Sequence, residues 1–187
     1  MARFQLLIIL NELQSSGGVF YDIGAATGYF TVLAAQTIPP TNIHVFEPAN
    51  QSGVLKKNLT RYAPEATLHR RGVGNSESTI RLDDYVQTNP APTVIKIDVD
   101  GAEDGVLAGM YRIIKESSPL VLLEVHNTAN YHNICESIRN GFADAGYEFE
   151  LVKRHRYAGS QRERTTLDSL VEMENSENDY LLICSPE

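Results

Sequence analysis

The alternation of apolar runs constrains this chain more than any single residue does. Runs of strand length take turns with longer segments of helical period, the pattern of βαβ units feeding a parallel sheet with helices on its faces. The strand-like runs are residues 19–23, 42–46, 66–73, 93–99 and 120–125. Between the last two, Val106, Leu107, Met110, Ile113 and Ile114 share one helical face, and the spacing predicts a helix that ends before Pro119. A second helix is predicted over 132–145, where Ile134, Ile138, Phe142 and Ala145 align and Gly146 gives the stop. Residues 4–13 read as a further helix, ended by Ser15-Ser16-Gly17-Gly18. Beyond Gly146 the pattern changes: 147–152 and 180–184 read as strands with no crossover helix between them, so a hairpin-like antiparallel ending with a long polar insert is expected.

A length of 187 residues suits one core. The expectation is a single domain over 1–187: a helix and turn (1–17), a body of βα units (18–146) and the antiparallel ending (147–187). The formal net charge of −8 disfavours non-specific attraction to nucleic acid or anionic lipid. No apolar run has the length to span a bilayer, since the one from Phe4 is broken by Asn11 and Glu12. That stretch also lacks a small-residue cleavage site, so a cytoplasmic address is expected. Cys135 and Cys184 have neither metal nor disulfide spacing and read as reduced packing residues. Oligomeric state is not legible.

The first site signal is Asp22-Ile23-Gly24-Ala25-Ala26-Thr27-Gly28-Tyr29-Phe30, which follows a buried strand and opens a helix. Glycines in such a turn let backbone amides approach a ligand, and the helix start favours an anionic group. The GxxxG spacing with Ala26 inside it fails the GxGxxG fingerprint of dinucleotide sites. Asp22 suits a ligand with an ammonium group, such as the amino-acid end of S-adenosylmethionine. A turn that merely permits tight packing is the competing reading. The second strand ends in Phe46-Glu47-Pro48, where an acid at a strand C-terminus accepts hydrogen bonds from ribose hydroxyls; an exposed surface carboxylate is the alternative.

The third signal is Val94-Ile95-Lys96-Ile97-Asp98-Val99-Asp100-Gly101-Ala102-Glu103. With the two motifs above, Leu82-Asp83-Asp84-Tyr85 and Leu123-Glu124-Val125-His126, it closely resembles the FkbM-type S-adenosylmethionine-dependent methyltransferases. The resemblance runs in order from about Val19 to His126. It implies a Rossmann-like class I methyltransferase: a seven-stranded, mostly parallel α/β sheet of order 3-2-1-4-5-7-6, last strand antiparallel, helices on both faces. It also implies S-adenosylmethionine as cofactor, held at Asp22, Gly24, Gly28, Glu47 and Asp98, with adenine near Gly72, Val73 and Gly74. Ala25 and Pro48 adjoin these motifs and join the cofactor set. Between Gly74 and Leu82 only Asn75 to Arg81 intervene, a shorter stretch than in similar proteins.

Methyl transfer from a sulfonium is an in-line displacement, so positioning dominates. A hydroxyl acceptor gains from a base. Asp98, Glu124 and His126 are the candidates, Asp98 ranked first; an imidazole ordinarily titrates near neutral pH, which favours His126, and a structural histidine is its alternative. Asp100 and Glu103 have capping-box spacing and read as the start of a helix. No metal is expected, although Asp98 and Asp100 with a neighbour offer oxygen donors. For Tyr29 and Phe30, contact with the sulfonium competes with core packing. Lys153, Arg154, Arg156, Arg162 and Arg164 crowd the ending, where selection of an anionic acceptor competes with a solvated hairpin. A small-molecule hydroxyl or amine, on a sugar or natural product, is the expected acceptor. The alternatives are a nucleotide- or NAD-binding oxidoreductase and a non-catalytic cofactor-binding module.

Overall fold

The computed structural model describes residues 3–16, 18–49, 53–126, 129–153, 161–171 and 179–187. Strands β1 (Phe20–Ile23), β2 (Ile43–Phe46), β3 (Thr67–His69), β4 (Val94–Ile97) and β5 (Leu120–Val125) are separated by helices. These are α1 (Arg3–Ser16) ahead of β1, then α2 (Tyr29–Ala34), α3 (Val54–Tyr62), α4 (Leu82–Tyr85), α5 (Glu103–Ala108) and α6 (Tyr111–Ser117). After β5 come α7 (Tyr131–Phe142), β6 (Tyr147–Lys153), β7 (Gln161–Thr165), α8 (Leu167–Val171) and β8 (Tyr180–Pro186).

The strands form one sheet of order β3-β2-β1-β4-β5-β8-β6-β7. Strands β1 to β5 run parallel, and β8 inserts antiparallel between β5 and β6. Without β7 this is the expected 3-2-1-4-5-7-6 arrangement. The eighth strand is a finding, because Gln161-Arg162-Glu163-Arg164-Thr165 has no apolar alternation to announce it. It is an edge strand laid antiparallel on β6. Its charges pair across the ladder, Lys153 with Glu163 at 2.6 Å, Arg164 with Glu148 at 3.3 Å, and Arg162 with Glu150. Three of the five basic residues of the ending are thus matched by acids of the same hairpin; Arg154 and Arg156 lie outside the described residues.

Successive strand residues face opposite sides, and the core divides accordingly. Tyr21, Ile23, Ile95, Ile97, Leu123 and Val125 pack with α5, α6 and α7 residues such as Val106, Ile113 and Ile134. Phe20, Val94, Leu120 and Leu122 pack with Ile9 and Leu13 of α1, Ala34 of α2 and Leu55 and Leu59 of α3.

Two expectations are corrected. The single helix through Val106 to Ile114 is two, because Gly109 sits against the turn after β3: a Cβ there would lie 2.7 Å from the Gly74 carbonyl oxygen. Asp83 then starts α6 from a distance, its carboxylate accepting from the amides of Arg112 (3.2 Å) and Ile113 (3.1 Å). The third strand is three residues rather than eight; the chain leaves the sheet after His69, and Val73 and Ile80 form an isolated bridge with each other outside it.

Candidate active site

The C-terminal ends of β1, β2, β4 and β5 meet at one edge, where ligands bind in open parallel sheets. At the end of β1 the Gly24 amide donates to the Phe46 carbonyl at 2.9 Å, which seats the turn against β2. Gly24 has φ +73°, and a Cβ there would fall 1.8 Å from the Asp98 carbonyl oxygen, so only glycine fits. Ala26 follows at φ +50°, and Gly28 at φ +80° donates to the Ala25 carbonyl at 2.7 Å before α2 begins.

Glu47 closes the other side. One carboxylate oxygen accepts from the Ala26 amide at 2.8 Å and the other from the Ala49 amide at 2.9 Å, which ties β2 to the glycine turn. Each oxygen retains acceptor capacity for a ligand. A cleft of about 430 Å³ opens here, lined by Gly24, Ala26, Glu47, Pro48, Asp98 and Val99 among others. Glycine turn, Glu47 and Asp98 therefore share one hollow.

Asp22 departs from expectation. Its side chain is fully enclosed and does not line the cleft. One oxygen accepts from the Thr31 hydroxyl at 2.6 Å, and the other lies 3.4 Å from Lys96 Nζ. Lys96, itself buried, also donates to the Gly24 carbonyl at 2.7 Å and lies 3.7 Å from Asp98. Asp22 is thus the support beneath the turn, and Lys96 links it to the cleft. Lys96 also sits 5.6 Å from the centre of the Phe30 ring, so Phe30 already has a cation on its face. Tyr29 is exposed and packs edge-on against Phe30. Among the cleft's lining residues neither appears, and Ala25 is buried in the α1–α3 side of the core. Gly72 faces the rim, since a Cβ there would sit 4.0 Å from Pro48 Cγ, whereas Val73 points into the opposite core.

Beyond Asp98 the edge carries a cluster around His126. The ring Nδ1 lies 2.6 Å from a buried Glu103 oxygen, so in the tautomer that suits an ionised carboxylate Nδ1–H donates to Glu103. The Gly101 amide donates to the same oxygen at 3.1 Å. Nε2 faces Asp100 at 3.4 Å, Asp98 at 3.7 Å and Glu124 at 3.8 Å. The capping box expected from Asp100 and Glu103 does not form: Ala102 precedes the helix, Asp100 stands at φ +51°, and Glu103 turns to His126 instead. Burial pushes the Asp98 carboxyl above its usual range, Lys96 opposes this and Glu124 reinforces it. The hydrogen bond to Glu103 holds His126 above the ordinary histidine range, against a smaller opposing effect of burial.

Lys96 and Glu103 were not anticipated. The signal for Lys96 was a charge interrupting the apolar run Val94-Ile95-Lys96-Ile97, all four of which are buried. Glu103 gave none, because its capping-box spacing had a local explanation.

Residues 70–149 match the family described as Methyltransferase FkbM domain. No curated protein matches the chain. Among solved structures, an FkbM methyltransferase from Methylobacillus flagellatus is 20% identical with a TM-score of 0.60, covering 89% of this chain and 43% of its own. A precorrin-6y C5,15-methyltransferase from Geobacter metallireducens is 20% identical with a TM-score of 0.58, covering 97% of this chain and 86% of its own. An rRNA methylase from Streptococcus thermophilus is 12% identical with a TM-score of 0.66, covering 98% and 94%. These neighbours share the class I methyltransferase fold, and no helix among the described residues is long and apolar enough to cross a membrane. Residues 70–149 are thus similar to the FkbM methyltransferase domain, and the fold is the one these solved methyltransferases share.

Proposed function

We propose that the cleft binds S-adenosylmethionine and that the protein transfers its methyl group to a small-molecule hydroxyl. The observation that carries this is the Glu47 carboxylate bonded to the glycine turn at Ala26, with Asp98 on the same hollow. A volume of about 430 Å³ falls within the roughly 300–1,000 Å³ typical of small-molecule sites. The acidic lining suits a cationic ligand. The cofactor, when bound, supplies an electrophilic methyl group on a sulfonium.

Each residue has a task in this reading. Glu47 accepts from ribose hydroxyls through its remaining lone pairs, and the turn amides and Pro48 hold the rest. Lys96 and Asp22 fix the turn from below. Asp98, made more basic than an ordinary carboxylate by burial, receives the acceptor's proton as attack proceeds. Glu124 and His126 orient the acceptor. The net charge of −8 disfavours a polyanionic acceptor, and the two buried free cysteines suit a reducing cytoplasm.

Calorimetric titration with S-adenosylmethionine, S-adenosylhomocysteine and NADH tests the cofactor. Binding of the first two without NADH is expected; NADH binding alone overturns the reading in favour of an oxidoreductase. Labelled-methyl transfer to sugar hydroxyls, amines and RNA then tests the acceptor, and transfer to RNA alone overturns the small-molecule assignment.

A further inference from the structure

The Asp98, Glu124 and His126 cluster has a geometry that acid–base chemistry does not require. One donor atom from each lies within 4.8 Å of the other two. Asp98 and Glu124 each follow a paired residue, Ile97 and Leu123, at the ends of neighbouring strands β4 and β5. Sheet register, not a flexible loop, thus brings the two carboxylates together. His126 comes two residues after Glu124, on the same side of the strand.

Three observations point past an ion-pair network. First, Nε2 lies 3.4 to 3.8 Å from carboxylate oxygens of three residues, outside hydrogen-bond range of each. Donor atoms each about 2.1 Å from a shared ion sit roughly 3–4 Å apart, so these gaps match a common cation. Second, the far ring nitrogen is held by buried Glu103, the carboxylate–histidine arrangement that fixes a metal-binding tautomer and leaves Nε2 outward. Third, the carboxylates of Asp98, Asp100, Glu103 and Glu124 all gather around one imidazole, and Glu103 keeps a fully buried oxygen with no hydrogen-bond partner.

We propose that Asp98, Glu124 and His126 bind a divalent cation at the mouth of the cleft, with exposed Asp100 as an auxiliary ligand. Two carboxylates and one imidazole suit Mn2+, Fe2+ or Zn2+. Three protein ligands leave positions for water or substrate oxygen. This rests on the methyl-transfer reading for its purpose: the ion would draw the acceptor oxygen beside Asp98 and ease loss of its proton. Binding of the ion itself does not depend on that reading.

The test uses Mn2+ and the full chain at neutral pH without cofactor, following the free-ion electron paramagnetic resonance signal. One Mn2+ per chain with a dissociation constant below about 1 mM is expected. Glu124→Gln and His126→Gln are each expected to weaken it by about tenfold or more, with circular dichroism confirming that they fold. Asp98→Asn, at a partly exposed position, serves as a third variant should either misfold. Substoichiometric binding in the wild-type chain, or unchanged affinity in the folded variants, overturns the proposal. S-adenosylhomocysteine affinity measured on the same preparations separates this failure from failure of the cofactor reading.

Discussion

Removing Lys96 should unsettle the protein through Asp22, and the cost can be worked from the geometry. The two charged groups lie 3.4 Å apart with side-chain exposures of 6% and 0%. An effective dielectric of about 20 gives roughly 5 kcal/mol of attraction at that distance, of which desolvation cancels a large part. Breaking the pair from one side is the costly perturbation, since Asp22 would then keep one hydrogen bond, from Thr31, and one orphaned buried oxygen. Lys96→Met is expected to destabilise by about 3–5 kcal/mol, a sizeable share of the roughly 5–15 kcal/mol of a typical domain. Asp22→Asn keeps the shape and leaves Lys96 with Asp98 and the Gly24 carbonyl, so about 2 kcal/mol is expected. The double variant should lose less than the sum by about 2 kcal/mol, because neither charge is then left alone. Urea unfolding followed by far-ultraviolet circular dichroism reads all four proteins; the chain has no tryptophan for fluorescence. Additivity within about 0.5 kcal/mol would refute the buried pair as the support of the turn.

Gly24→Ala meets both a left-handed φ and a collision with the Asp98 carbonyl, and should cost at least about 3 kcal/mol; an unchanged thermal melt would contradict the close approach of the turn to β4. Glu47→Ala should raise the calorimetric dissociation constant for S-adenosylhomocysteine about 10- to 100-fold through lost charge-assisted hydrogen bonds, whereas an unaltered constant would remove Glu47 from the site. Burial, aided by His69, depresses the His44 imidazole from 6.5 to about 4. The unfolded chain therefore binds the proton first: this contribution is intact above about pH 6.5, falls as pH drops through that value, and levels off below about pH 4 after a loss of about 3 kcal/mol. The stability difference between pH 7 and pH 4.5 should shrink in His44→Asn relative to wild type, and equal pH dependence in both proteins would exclude His44 as a source.

Much of the parallel half was legible because its strands are buried on both faces and its turns carry their own chemistry. Val19 to Ile23 and Leu120 to Val125 are apolar enough to need covering on two sides, and Gly24 with Gly28 marks a turn that other residues resist. What escaped depends on partners distant in sequence. The apolar period from Val106 to Ile114 runs unbroken across Gly109, yet the helix is cut there by the turn at Gly74 and restarted by Asp83. Strand β7 has almost no apolar content; cross-strand ion pairs and the open edge of β6 hold it. Glu103 offered a satisfactory local role as a helix cap, and only the fold shows that His126 takes its carboxylate.

Lys96 is a different case, because its partner follows from information that the sequence carried once topology was granted. A lysine inside a central parallel strand cannot reach water past flanking strands and helices, so its charge has to be met within the sheet's own layer. The order 3-2-1-4 makes the first strand its neighbour, and that strand contains one acid, Asp22. The register sets Asp22 directly opposite Lys96, and alternation puts both side chains on the same face. Topology, register and charge together therefore specify this pair. The same steps place Asp98 and Glu124 side by side one residue beyond the paired Ile97 and Leu123. An acid that looks like a ligand contact when its strand is considered alone becomes the counterion of a buried base when the adjoining strand is considered with it. The residue facing the ligand is then the next one along that meets the opening, which here is Asp98.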